Sequence, residues 1–369
     1  MKRICIVAGA RPNFVKVAPL IRAIEKADGA SYELVYAGRA DDPTLEDTLF
    51  DDLQMPRPSV YLGVDSTSLN EITSRVMAEF DAYLDRQPAD VVIVVDDLAS
   101  TMAAAIVTKK RGIRLAHLVA GTRSFDMQMP KEVNRLVIDA LSDYLFTAGV
   151  KSNSVASREQ GDSSNTYMVG NILMDTLRFN YQRFRKPDLL DVKAQSYIVF
   201  TINRKALLAD ENKLRRLLQA MLEAAGDTPI IAPLRDQARE VVEAQLSVLT
   251  SQFSPLSSHL SPLTSHLSVL TSLSYLEFGW LTAHARGIIT DSGNVAEEAT
   301  FNHVPCITLN SYTEHQETVK VGTNELVGED PEKLADAVSR MVNGLWKTGA
   351  LPDRWDGRTA ERIVSILLG

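Results

Sequence analysis

The residues best suited to chemistry lie where an apolar run meets a glycine turn. Gly287–Ile289 is apolar and is followed by the polar turn Thr290–Gly293 and then by a helix-like segment, Asn294–Ala299. A strand that passes through a tight turn into a helix presents free backbone N–H groups and the positive end of a helix dipole. Ser292 and Gly293 are small enough for a phosphate to approach, so the turn is a candidate anion site.

Two carboxylates, Glu297 and Glu298, follow within the first turns of this predicted helix. A carboxylate one turn inside a phosphate-binding helix can accept hydrogen bonds from ribose hydroxyls. The alternative is an ordinary capped helix with a solvated acidic face. The motif alone leaves both interpretations open.

A second group of candidates follows the predicted strands in the first half of the chain. Arg11 and Lys16 flank the start of a helix, where a dipole and two cations can hold a diphosphate. Taken alone, these two cations are also consistent with surface charges. Asp97, Arg123 and Glu132 lie at or just beyond the carboxyl ends of predicted parallel strands, where functional residues of such folds gather.

Strands and helices alternate along the chain, which indicates parallel sheets with helices on both faces. The run Val91–Val95 is typical of a buried parallel strand. After the polar segment 180–195 the alternation restarts. The predicted fold class is therefore α/β, with two Rossmann-like, doubly wound parallel-sheet domains over residues 1–180 and 196–350. We expect a last helix, about 355–369, to pack back on the first domain.

Residues 247–274 interrupt this pattern with four copies of a seven-residue unit rich in Ser and Thr. Leu at the third place imitates coiled-coil spacing, but Pro255 and Pro262 are incompatible with a helix interior. The segment is interpreted as a low-complexity, heptad-repeat insertion at the surface. His259 and His266 recur with the repeat; metal binding is the alternative, but duplication of the repeat is a sufficient cause.

The composition excludes several classes of partner. The chain has 369 residues, 45% of them hydrophobic, and a net charge of −8 without a long basic run. Nucleic acid and anionic membranes are therefore not expected partners. No apolar stretch has the length needed to span a bilayer. Cys5 and Cys306 lie in strand-like runs, which favours reduced core thiols in a cytoplasmic protein.

Taken together, these residues resemble the non-hydrolysing UDP-N-acetylglucosamine 2-epimerases, nearly from end to end apart from the heptad insertion. Each motif is weak alone, but the order and spacing of all of them are specific. The landmarks are Gly9–Pro12 with Lys16, Asp97, Ala120–Gly121 with Arg123, Glu132 with Asn134 and Arg135, Gly170–Asn171 with Asp175, Thr290–Gly293 with Glu297 and Glu298, and Gly322–Asn324 with Leu326–Gly328.

The resemblance implies a GT-B-like fold, in which two domains face each other across a cleft that holds a UDP-sugar. It implies a homodimer, no cofactor and no metal. The implied reaction inverts C2 of the sugar: UDP leaves C1 while a base removes the C2 proton, and UDP then re-adds with a proton delivered from the other face. The implied site residues are Arg11, Lys16, Asp97 and Glu132 for catalysis and Ser292, Gly293, Glu298, Phe278, Arg204 and Asn203 for nucleotide binding.

Several acid–base positions depart from the family's pattern. Val119 stands where the family has a functional glutamate, and Lys131 stands where it has an acid. Asn203 replaces a histidine and His315 replaces an arginine. Because the loss of one general acid or base costs about 10²–10⁴ in rate, we expect reduced or altered epimerase activity. The alternatives are a nucleotide-sugar-binding paralogue without turnover and a GT-B glycosyltransferase, for which the sequence shows no acceptor motif.

Overall fold

The chain forms two compact units. The computed structural model describes residues 1–161, 164–188, 190–253 and 266–369. The first unit comprises Met1–Asn180 and Asp353–Gly369, and the second comprises Tyr181–Pro352. Each unit contains a parallel sheet of its own.

The first unit is a doubly wound sheet. Its strands are β1 Lys2–Ala8, β2 Ala30–Tyr36, β3 Val60–Tyr61, β4 Val91–Val95, β5 Arg114–Ala120, β6 Tyr144–Thr147 and β7 Thr166–Met168. They pair in parallel in the order β3-β2-β1-β4-β5-β6-β7. The chain moves outward from β1 to β3 and then returns to the other side of β1 with β4. This reversal is a topological switch point, beside which α/β sheets bind ligands.

Helices cover both faces of this sheet because its strands are apolar on both sides. They are α1 Arg11–Lys26, α2 Asp47–Leu53, α3 Leu69–Arg86, α4 Ala99–Lys110, α5 Pro130–Leu141, α6 Val150–Gln160, α7 Ile172–Asn180 and, from the end of the chain, α15 Thr359–Leu368. Every residue of β4 is buried. Val92 and Val94 of this strand belong to a hydrophobic cluster with Phe80 and Tyr83 of α3, so α3 closes one face.

The second unit repeats the plan with six strands in its described part. Its strands are β8 Ile198–Thr201, β9 Ile230–Pro233, β10 Leu267–Leu270, β11 Gly287–Thr290, β12 Cys306–Thr308 and β13 Asn324–Leu326. They pair in parallel in the order β10-β9-β8-β11-β12-β13. Its helices are α8 Lys205–Ala209, α9 Glu211–Ala225, α10 Asp236–Phe253, α11 Tyr275–Ala283, α12 Gly293–Phe301, α13 Gln316–Lys320 and α14 Pro331–Val342. The predicted fold class, two fully parallel doubly wound α/β sheets, is confirmed.

The heptad-repeat segment differs from the predicted surface insertion at both of its ends. Its first copy forms the last turns of α10, and the edge strand β10 begins at the last residue of the third copy and continues into the fourth. Leu249 and Leu267 are buried in the core of the second unit, so the repeat's leucines supply core side chains there. Pro255, His259 and Pro262 lie outside the described residues.

The last helix completes the first unit. The Asp175 carboxylate accepts hydrogen bonds from Thr359 N at 3.0 Å and Ala360 N at 2.8 Å, and so satisfies two amides at the start of α15. Burial raises the pKa of Asp175, and these two amides offset part of that effect. The Trp355 indole donates to Ala148 O. The Asp175 landmark therefore anchors the C-terminal helix to α7.

Two further features bear on the sequence-based expectations. None of the helices in the described residues combines the length and apolar composition needed to cross a bilayer. Cys5 and Cys306 are buried thiols, one in each unit, and burial raises the pKa of each to about 12. Neither thiol is therefore ionised at neutral pH.

Candidate functional site

The glycine turn lies between β11 and α12, as its sequence predicts. Ser292 is the N-cap of α12 and Gly293 is its first residue. Ser292 N donates to Thr290 Oγ1 at 3.0 Å, which folds the turn back on the end of its strand. The first-turn amides of α12 lack intrahelical acceptors, as in any helix, so this end of α12 can hold an anion.

The two glutamates of α12 do not form a solvated acidic face. Glu297 is 2% exposed and Glu298 is 7% exposed. Burial, together with the nearby charge of Glu297, raises the pKa of Glu298 to about 8. Glu297 Oε1 lies 2.8 Å from His315 Nδ1. At neutral pH, therefore, Glu298 is mostly a neutral acid that can donate as well as accept a hydrogen bond.

A second loop is tied to this turn. The Asp291 carboxylate accepts from Asn203 N at 2.8 Å and from Arg204 N at 2.6 Å, which joins the end of β8 to the end of β11. The Arg204 guanidinium reaches Leu309 O at 2.5 Å and Glu329 at 3.1 Å. Asn203 and Arg204 thus lie beside the glycine turn, with the guanidinium bound by the protein.

Phe278 approaches the same region from α11. It is partly buried and packs against the cluster that contains Val295 of α12. The predicted nucleotide residues of the second unit therefore lie on α12, on α11 and in the two loops that Asp291 joins.

In the first unit, the cations at the start of α1 differ from each other. Arg11 is the first residue of the helix and is partly exposed. Lys16 is 7% exposed, and its ammonium lies 2.6 Å from Asp96 Oδ1. Asn13 donates to the other oxygen of Asp96 at 2.8 Å. Lys16 is therefore a buried partner of a carboxylate and not one of two surface cations.

Asp97 is surrounded by cations. Arg135 Nη2 lies 2.6 Å and Lys131 Nζ 3.5 Å from its carboxylate oxygens. Burial alone raises the pKa of Asp97, but the charges of Lys131 and Arg135 outweigh burial and hold the pKa below its usual value. The Lys131 ammonium thus places a positive charge beside the candidate base. Asp97 is ionised at neutral pH and is a weaker base than an ordinary aspartate.

Glu132 makes many contacts of its own. Its carboxylate accepts from Ser124 N at 2.8 Å, Ser124 Oγ at 2.9 Å and Phe125 N at 3.0 Å, and Arg135 lies 3.2 Å away. These donors outweigh burial and lower the pKa of Glu132. The side chain is 1% exposed. In this arrangement Glu132 holds the loop that precedes α5.

A buried charge network lies behind this loop, and its central pair was not among the predicted site residues. His117 Nδ1 is 2.5 Å from Asp139 Oδ1, and His117 Nε2 is 3.0 Å from Asp96 O. Arg123 Nη2 is 2.7 Å from the second Asp139 oxygen, which also accepts from Gly121 N at 3.0 Å. Both His117 nitrogens therefore lie within hydrogen-bond distance of an acceptor oxygen. The network fixes the loops that follow β4 and β5.

Three of the eight non-glycine residues with positive φ in the described part of the chain lie in these loops. Val119 has φ 75°, and Asp96 and Phe125 have φ near 60°. The left-handed region is most costly for β-branched residues, so Val119 is a strained residue next to a candidate site. Gly121 has φ 74°, and a Cβ there would lie 2.1 Å from Ser152 O. Only glycine fits that position, which explains the Ala120–Gly121 landmark.

Replacing Val119 by glycine is expected to raise the free energy of unfolding by about 1 kcal/mol, because glycine adopts this φ without strain. Thermal unfolding of the two proteins measures the difference. The matched control is Val133→Gly within helix α5, where the same change should destabilise by about 0.5–1 kcal/mol. Equal destabilisation at both positions would contradict strain at Val119.

Comparison with known proteins identifies the family to which the chain belongs. The family model described as UDP-N-acetylglucosamine 2-epimerase matches residues 22–368. The chain belongs to this epimerase family. The UDP-N-acetylglucosamine 2-epimerase of Methanocaldococcus jannaschii is 31% identical over 99% of this chain and 98% of its own. Its crystal structure in complex with UDP-GlcNAc and UDP superposes with a TM-score of 0.83 and covers 99% of both chains.

The epimerase family includes a relative with a different sugar in its name. The UDP-2,3-diacetamido-2,3-dideoxy-D-glucuronate 2-epimerase of Pseudomonas aeruginosa is 29% identical, and the match covers 91% of each chain. Both relatives are named as 2-epimerases of UDP-linked amino sugars. The match to the family extends through both units, so it includes the candidate residues of each, apart from Arg11 and Lys16 at the start of the chain.

Proposed function

We propose that this protein is a 2-epimerase of a UDP-linked 2-acetamido sugar, with UDP-N-acetylglucosamine and UDP-N-acetylmannosamine as the interconverted pair. The observation that carries the proposal is membership of the family over 22–368, combined with a glycine turn that opens α12 and two buried glutamates behind it. The reaction replaces the proton on C2: a base removes it from one face as the C1–O bond to UDP breaks. An acid on the other face then delivers a proton to C2 as UDP re-adds.

The second unit is proposed to bind the nucleotide. The first-turn amides at Ser292 and Gly293 bind the diphosphate, and Glu298 bonds the ribose hydroxyls. Asn203 and Arg204 lie in the loop that Asp291 joins to this turn. Phe278 contributes an apolar surface from α11. The charge that builds up on the leaving UDP needs such donors, since electrostatic stabilisation of a leaving group is usually a large part of catalysis.

The first unit is proposed to supply the proton transfer. Asp97 is the candidate base, and Arg11 and Lys16 add positive charge for the departing diphosphate. The lowered pKa of Asp97 supports a slow reaction, because a weaker base removes the C2 proton less readily. Glu132 is bound by four donors in the protein, so its proposed part is to hold the loop and Arg135 in place.

A second candidate function is binding of the UDP-sugar without turnover. The observations that favour it are the apolar Val119 at the end of β5 and the Lys131 ammonium 3.5 Å from Asp97. Valine cannot carry a proton, and the ammonium lowers the basicity of the carboxylate. The two functions share the nucleotide site and differ in the fate of the C2 proton.

The test is C2 proton exchange, followed by NMR in D₂O with UDP-N-acetylglucosamine. Slow incorporation of deuterium with formation of the manno product is expected, and Asp97→Asn should reduce it about 10²-fold. The matched control is Asp90→Asn, which changes an exposed aspartate in the same unit and should keep the wild-type rate.

Other results of this experiment separate the candidates. No exchange, with UDP still raising the melting temperature, supports binding without turnover. Exchange with the 2,3-diacetamido glucuronate substrate and not with UDP-N-acetylglucosamine would move the proposal to the relative's sugar. Consumption of the UDP-sugar only when an acceptor is added would favour a glycosyltransferase. Neither exchange nor thermal shift would reject the proposal.

A cytoplasmic homodimer is proposed as the working form of the protein. The support is the resemblance to the epimerase family and the reduced-thiol pattern of Cys5 and Cys306. Light scattering after size-exclusion chromatography tests the dimer, for which a mass of twice 40.7 kDa is expected.

A further inference from the structure

His315 is the N-cap residue of α13, and its side chain lies against α12 and connects two features of that helix. Its Nδ1 is 2.8 Å from Glu297 Oε1. Its opposite edge faces Gly293: a Cβ built on that glycine would lie 3.3 Å from the ring's Cδ2 and 3.6 Å from Nε2. The imidazole therefore extends from a buried carboxylate to the first residue of the helix.

The contact with Glu297 decides which proton the ring keeps. An ionised carboxylate only accepts hydrogen bonds, so Nδ1 carries a hydrogen and donates it to Glu297. When the imidazolium loses a proton, the hydrogen on Nδ1 stays with Glu297 and the proton on Nε2 leaves. Nε2 belongs to the edge that faces Gly293. Titration of His315 therefore changes the side of the ring next to the helix N-terminus.

The groups around His315 are mostly acidic. Glu297 and Glu298 lie on α12, Glu314 precedes the ring in the chain, and the short helix α13 carries Glu317 and Lys320. Asp291, in the turn before α12, is bonded to the amides of Asn203 and Arg204. A protonated His315 thus supplies a positive charge at a place where a bound diphosphate would otherwise meet several carboxylates.

We propose that His315 is a diphosphate ligand and that it makes binding of the UDP-sugar depend on pH. This inference rests on the proposed function, since it assumes a nucleotide at α12. In the doubly protonated ring, Nε2–H donates to the phosphate and adds one positive charge. In the neutral ring, Nε2 is an acceptor that faces an anion. Binding therefore weakens as pH rises through the titration of His315.

The test measures the affinity of UDP-N-acetylglucosamine between pH 5.5 and 8.5 by calorimetry. This probe is preferred to UDP, whose terminal phosphate titrates near pH 6 and would add its own slope. The wild-type affinity is expected to fall about 10-fold or more across this range. His315→Arg, which cannot titrate in this range, should bind equally well at both ends, whereas His315→Gln should bind weakly and without a pH slope.

A further variant separates His315 from its acidic neighbour. Glu298 also becomes negative as pH rises, with a pKa raised to about 8 by burial and by Glu297. If His315 causes the pH dependence of the affinity, Glu298→Gln should keep it. If Glu298 causes it, the dependence should disappear in this variant.

The outcomes distinguish this inference from the proposed function. Binding by the wild type with a slope that His315→Arg and His315→Gln both retain would overturn the role of His315 and leave the nucleotide site intact. Failure of the wild type and of His315→Arg to bind at every pH would overturn the proposed nucleotide site itself, and this inference with it.

Discussion

Replacing Asp139 by asparagine is expected to lower the free energy of unfolding by about 3–5 kcal/mol. Asp139 is 2% exposed, and its oxygens face the His117 ring and the Arg123 guanidinium. Burial alone raises the pKa of Asp139, but His117 and Arg123 outweigh it and keep the carboxylate ionised. Asparagine removes that charge and turns an NH₂ group toward existing donors. The Arg123 guanidinium then stays buried beside a neutral amide, which is the costly way to break a buried pair.

Urea unfolding at pH 7 measures this change. The control is the same substitution at Asp85, whose ion pair with Arg111 is exposed and should contribute little. Because Asp139 also accepts from Gly121 N, the variant should loosen the loop after β5 and reduce any C2 exchange. A midpoint as little changed as that of Asp85→Asn would contradict a strongly coupled network.

Replacing Glu298 by glutamine is expected to stabilise the protein at alkaline pH by on the order of 5 kcal/mol and to have almost no effect near pH 4. The pKa of Glu298 is raised to about 8 in the folded chain, chiefly by burial and then by Glu297. At a pH between its folded and unfolded pKa values, such an acid is protonated in the folded state and ionised in the unfolded state. The unfolded state is therefore favoured more and more as pH rises from about 4.5 to about 8.

Glutamine does not ionise, so the free energy of unfolding of the variant should not fall as pH rises from about 4.5 to about 8. Unfolding midpoints at intervals between pH 5 and 9 measure the divergence of the two proteins. Glu211→Gln, at an exposed position of the same unit, is the matched control and should follow the wild type at every pH. Parallel curves for the wild type and Glu298→Gln would show that Glu298 ionises as an ordinary glutamate.

A gain of stability at this position is consistent with a role in binding. A carboxylate buried beside a second carboxylate costs stability, and such costs are often found at functional sites. We therefore expect Glu298→Gln to bind UDP more weakly even though it unfolds later at pH 8.

Local sequence predicts the fold of this chain well because its sheets are parallel. The strand Val91–Val95 is a continuous apolar run, and the structure buries all five residues. The helix end and the strand within the heptad segment could not be predicted in this way. The same Ser- and Thr-rich unit ends α10 in its first copy and forms strand β10 where its third and fourth copies meet. Tertiary packing of Leu249 and Leu267 decides these assignments, not propensity.

The candidate site is less visible in the sequence, since its contacts join residues that are distant in the chain. The glycine turn at Ser292 could be predicted because one short segment contains the strand, the turn and the helix. The pair of His117 and Asp139 has no local signal, as one residue is on β5 and the other on α5. Likewise, only the structure shows that Lys131 lies beside Asp97.

The return of α15 to the first unit has a consequence for synthesis of the protein. The second unit is one continuous segment, Tyr181–Pro352, whereas the first unit needs Asp353–Gly369 for completion. During translation, the amides of Thr359 and Ala360 reach the Asp175 carboxylate only after the whole second unit has been made. At about 5–20 residues per second this delay is roughly 10–40 s. Throughout that time the nascent first unit exposes the apolar surfaces of α1 and α7 that α15 later covers, and a chaperone has its longest opportunity to bind there.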